Sequence, residues 1–166
     1  MTSRPGAERP SVPETMTPMR RREPGELVAL VVAGFFLLLG VAGFIPGVTA
    51  DYDRMTFAGH HSGAMLVGVF TVSVAHNLVH LAFGLVGVVM ARSPKTARIF
   101  LVGGGGVYAA LWLYGLLIDR GSGANFVPVN SADNWLHLFF ALTLFALAWL
   151  VGTPRRPTNT PIHAPN

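Results

Sequence analysis

Four apolar runs limit what this chain can become: residues 27–45, 73–90, 99–118 and 135–151. Each approaches the ~20 residues an α-helix needs to cross ~30 Å of hydrocarbon, the second and fourth only if their polar-sided first turns count. Inside a bilayer the backbone must satisfy its own N–H and C=O groups, and runs of this length do so as helices. The expected fold is therefore all-α, an integral membrane four-helix bundle over residues 26–152. Only 12% of the residues are charged, about half the share usual in soluble domains. The chain has no cysteine, which excludes disulfides, thiolate metal sites, iron–sulfur clusters and cysteine nucleophiles.

A net charge of +4 invites a nucleic-acid reading, but the positions of the charges argue against it. Ten of the twelve Lys and Arg residues fall before the first run (Arg4, Arg9, Arg20, Arg21, Arg22), between the second and third (Arg92, Lys95, Arg98), or after the fourth (Arg155, Arg156). These three places share one side of a four-span chain. By the positive-inside rule both termini are cytoplasmic, in a multi-pass protein of the plasma membrane. The expected partners are the bilayer itself and anionic lipid at the basic segments, with self-association into a homo-oligomer left open and no nucleic acid.

Residues 1–25 and 153–166 are rich in proline and poor in apolar side chains, so both read as disordered cytoplasmic tails. The first run follows Arg20–Arg22 and precedes the small residues Val48, Thr49 and Ala50, in the manner of a cleaved signal. Its apolar stretch is long for that role, and it reads as a retained span. Residues 60–70 (HHSGAMLVGVF) are too apolar for a solvated loop, and are expected to form an interfacial helix or to prolong the second span. Four consecutive glycines, 103–106, suggest a close-packing face, with Gly34, Gly40, Gly43, Gly84 and Gly87 as candidate partner surfaces.

Polar side chains at matching points of two apolar runs mark where function should be sought. Residues 72–85 (VSVAHNLVHLAFGL) and 129–142 (VNSADNWLHLFFAL) agree at seven of fourteen positions, including Asn77/Asn134, His80/His137, Leu81/Leu138 and Phe83/Phe140. Ser73 and Asn130 align and are both good N-caps, so a helix is expected to start at each. His80 and His137 then share a depth, roughly 10 Å past each cap. Asn77/His80 and Asn134/His137 are spaced i,i+3, which puts amide and imidazole on one helix face. The bundle is read as two duplicated helical hairpins, related by an axis along the membrane normal.

Several chemistries fit this pattern. His76, Asn77, His80, Asp133, Asn134 and His137 are expected to form an interhelical polar cluster, hydrogen-bonded across the hairpins and fixing helix register. His80 and His137 are also candidate cofactor-binding residues, as axial ligands of a haem b or in a quinone-linked redox protein, although no cofactor is predicted outright. His76 and Asp133, the one informative difference between the copies, are a candidate imidazole–carboxylate metal site with His60, His61, Asp51 and Asp53 nearby. A small transporter is a third class, but no acid lies within any span. Ser73, His76 and Asp133 lack a nucleophile elbow, so no catalytic residue is assigned. Trp135 and Trp149 fit an interfacial belt. The leading expectation is a structural or interaction role in the membrane.

Gly43-Phe44-Ile45-Pro46-Gly47-Val48-Thr49, His76-Asn77-Leu78-Val79-His80-Leu81 and Ala132-Asp133-Asn134-Trp135-Leu136-His137-Leu138 together resemble the signatures of an uncharacterised family of small four-span bacterial membrane proteins, a domain of unknown function. The resemblance covers about residues 26–152. It implies a four-helix membrane bundle and supplies no activity.

Overall fold

The computed structural model describes residues 21–152. Residues 1–20 and 153–166, most of the two expected tails, lie outside the described residues. Four helices dominate: α1 (Pro24–Ala42), α2 (Val74–Met90), α3 (Pro94–Leu117) and α4 (Ser131–Leu150). The first begins two residues inside the expected tail. Pro24 suits the first helical position, and Glu23 N–H donates to the Glu26 carboxylate at 2.8 Å.

α1, α3 and α4 are long and apolar enough to cross a membrane, and α2 is a shorter apolar helix of 17 residues. Their surface fits that solvent. Val31, Leu38, Val79, Leu117 and Trp149 are exposed, whereas Glu26, Asn77, Asp133, Asn134 and His137 are buried. A water-soluble fold distributes these types the other way round. α1 packs along α2 and α3 along α4, giving two helical hairpins that meet mainly through α1 with α3 and α2 with α3.

The glycine run does not meet other glycines. Gly104 receives the edge of the Phe83 ring and Gly105 that of Phe145, while Gly103 and Gly106 face open space. Large side chains into small gaps, rather than backbone on backbone, join α3 to its neighbours.

Residues 60–70 form neither an interfacial helix nor an extension of α2. Instead β1 (Thr49–Ala50), β2 (Met65–Leu66) and β3 (Phe70–Thr71) make a small antiparallel sheet in the order β1-β2-β3. The reason is local. Val67 and Gly68 take φ of 47° and 72° in the turn after β2, a backbone that no right-handed helix admits. Val67 N–H donates to Val48 C=O and Val72 N–H to Ala64 C=O, so the segment is fastened at both ends. A 3₁₀ turn, Tyr52–Arg54, links β1 to the rest of this connection.

Candidate functional site

The two expected caps position the site. Ser73 Oγ accepts from His76 N–H at 3.2 Å, and Asn130 Oδ1 accepts from Asp133 N–H at 2.9 Å. α2 and α4 therefore start in register with the repeat, and His80 and His137 lie at equal distance from their caps.

Below these starts, the helices meet on aromatic rings. One ring from each helix, Phe36, Phe83, Tyr108 and Phe140, forms a central layer. Phe36 stacks on Tyr108 at 5.4 Å, and the edge contacts come in pairs: Phe36–Phe83 at 4.8 Å with Tyr108–Phe140 at 5.3 Å, and Phe36–Phe140 at 5.4 Å with Phe83–Tyr108 at 5.9 Å. Each such contact adds roughly 0.5–1.5 kcal/mol beyond its area. The imidazoles lie against this layer. His80 is 5.8 Å from Phe36 and His137 is 5.6 Å from Tyr108, and the His76 ring touches both histidines, at 4.6 Å and 6.5 Å.

The expected hydrogen-bonded cluster does not form. Asn77 Oδ1, Asn134 Oδ1 and Nδ1 of His76, His80 and His137 are buried without a partner, and among the described residues no hydrogen bond joins these side chains. The carboxamides serve another purpose. A Cβ placed on Gly43 would run into Asn77 Oδ1, and one on Gly115 into Asn134 Oδ1. Each oxygen thus rests on the backbone of the preceding helix, where Cα–H groups are the available weak donors. Asn77 Nδ2 points to Met55 Sδ at 3.9 Å.

Nor does Asp133 pair with His76. Its Oδ2 accepts from Asn130 N–H at 2.8 Å, completing a capping box, and from Thr71 N–H at 3.1 Å. Asn130 Nδ2 donates to Val69 C=O and Thr71 Oγ1, so the start of α4 is sewn to β3. In α2 a histidine occupies the matching position, and its ring turns inward. Among the described residues no group of three or more His, Asp or Glu side chains is placed to hold a metal ion.

The histidines instead divide two cavities. One, of about 300 Å³, lies between α1 and α4, with Phe35, Leu39, Leu136 and Phe140 as walls and Leu66, Val67 and Phe70 of the sheet and its turn over it. The other, of about 330 Å³, lies between α2 and α3, with Val79, Phe83, Val107 and Leu111 as walls and Phe126, Val127 and Pro128 over it. His76, His80 and His137 border both. Asp133 borders only the first.

The histidines and asparagines stand out in the sequence as polar residues in apolar runs, whereas Phe36, Tyr108, the Gly43/Gly115 pair and the cavity walls do not. A gapless overlay of α1 on α3 pairs Phe36 with Tyr108, Leu39 with Leu111 and Gly43 with Gly115. Few other positions agree, so that signal is faint.

Apolar helices with exposed apolar faces and polar side chains turned inward define a membrane protein. The chain belongs to the family described as a domain of unknown function (DUF4383), whose model matches residues 26–150. No curated protein and no solved structure matches it.

Proposed function

We propose that this is a multi-pass plasma-membrane protein, cytoplasmic at both ends, that binds a small lipid-soluble molecule between its helical hairpins. The observation that carries this reading is the wall of three imidazoles, His76, His80 and His137, which border two otherwise apolar cavities. A ligand polar atom that hydrogen-bonds an imidazole edge at this wall gains roughly 0.5–1.5 kcal/mol net. Concave apolar sites with a few convergent polar groups are the usual form of small-molecule sites.

The paired ring contacts and the paired cavities support reading the hairpins as duplicated about an axis along the membrane normal. Under that operation Phe35/Leu39 correspond to Val107/Leu111, and Leu136/His137/Phe140 to Val79/His80/Phe83. A purely structural role for the histidines has less support, since they make no hydrogen bond to one another.

The test is native mass spectrometry of the protein released from nanodiscs formed directly from membranes. Wild type should carry a non-covalent small molecule that the double variant Leu39→Trp/Leu111→Trp, which fills both cavities but leaves every histidine in place, does not. Identical spectra for the two would overturn the reading.

A further inference from the structure

Resting on that reading, we infer that each cavity takes the head ring of a lipid-soluble quinone or hydroquinone, so that one chain holds two. Three observations select this chemistry. Size comes first: cavities of about 300 and 330 Å³ lie at the low end of the ~300–1,000 Å³ range of ligand sites, enough for one substituted ring and not for a whole lipid. Shape comes second. Phe35, Phe139 and Phe140 wall one cavity, and Phe83, Tyr108 and Phe126 the other, and flat conjugated rings pack offset or edge-on against such walls.

Polarity comes third. His80 and His137 are more than nine-tenths buried and border both cavities. A neutral imidazole offers one donor and one acceptor. The donor suits a quinone carbonyl, and the acceptor suits the hydroxyl of the reduced ring. An acyl chain offers nothing to these nitrogens, and a sugar or phosphate head would meet a lining that is otherwise almost wholly apolar.

The mouths fit a prenyl or alkyl tail. Phe35 and Phe139 at one mouth are 44% and 59% exposed, and Val79 and Val107 at the other are 63% and 52% exposed, on helix faces turned to lipid. A tail leaving either cavity stays in hydrocarbon. The two sites also differ in one respect. Asp133 borders only the α1/α4 cavity, so that cavity is the better one for the hydroquinone, whose hydroxyls donate.

The experiment is calorimetric titration of the full chain in nanodiscs with decylubiquinone, against empty nanodiscs. Two molecules should bind per chain, one after Leu39→Trp, one after Leu111→Trp, and none in the double variant. His80→Phe with His137→Phe should weaken binding about tenfold or more, while leaving both cavities open. Absence of saturable binding, or a stoichiometry unmoved by the plugging variants, overturns the inference. A fluorescent fatty acid titrated in parallel separates the two failures. If it binds in a plug-sensitive way and decylubiquinone does not, the cavity reading stands and the quinone is wrong; if neither binds, both fall.

Discussion

At Asn77 and Asn134 the carboxamide oxygen is turned onto a glycine of the preceding helix, Gly43 and Gly115. This makes the glycines sensitive in a specific way. Gly43→Ala places a methyl where the Asn77 amide lies, and overpacking of this kind costs ~1–3 kcal/mol. Its melting temperature in detergent should fall. In the background of Asn77→Ala the clash has gone, so the added loss from Gly43→Ala should shrink to a few tenths of a kcal/mol. Full additivity of the two losses would refute the contact. The same cycle at Gly115 and Asn134 should behave alike.

The His76/Asp133 difference also belongs to this scale. In the sequence it resembles an acid–base pair. In the fold the Oδ2 atom of Asp133 is taken by the N–H groups of Asn130 and Thr71, so Asp133→Asn exchanges a charged acceptor for a neutral one. That change should lower stability by ~1–2 kcal/mol, read by thermal unfolding in detergent. An unchanged midpoint would mean the carboxylate is not spanning β3 and α4.

Among the elements, the starts of α2 and α4 have unequal duties. Ser73 caps through one side-chain bond, to His76 N–H. Asn130 caps through Asp133 N–H and also donates to Val69 and Thr71. Loss of an N-cap costs ~0.5–2 kcal/mol, and each further bond adds ~1 kcal/mol. Asn130→Ala should therefore destabilise more than Ser73→Ala, and hydrogen exchange should rise at β3 only in the former. Equal effects of the two would argue that β3 is held by other means. The caps were legible because Ser and Asn stand immediately before apolar runs. The sheet was not. Its turn depends on positive φ at Val67, and a β-branched residue gives no warning of that conformation.

For the whole molecule, the distribution of Arg and Lys underlies the proposed topology, and the absence of cysteine makes that topology simple to test. Gly123→Cys lies in the connection between α3 and α4 and Arg92→Cys in that between α2 and α3, both exposed. In intact cells a membrane-impermeant maleimide should label the first and spare the second until the membrane is opened. The reverse pattern would invert the orientation and put the histidine cavities on the cytoplasmic side.

The four apolar runs, the two caps and the equal distance of His80 and His137 from those caps were set by sequence alone, because they depend on solvent and on neighbours within a few residues. Bilayer-length hydrocarbon forces helices, and a cap needs only the amide three positions on. Contacts between helices were decided by tertiary structure. The repeated Asn and His side chains could have bonded to one another or turned to other groups, since sequence fixes the face they occupy but not what lies opposite. Gly43 and Gly115 draw the asparagines to the backbone, the Phe36–Phe83–Tyr108–Phe140 layer fills the axis, and the imidazoles are left bordering two cavities. That outcome follows from how four helices of particular bulk pack together, and no local pattern encodes it.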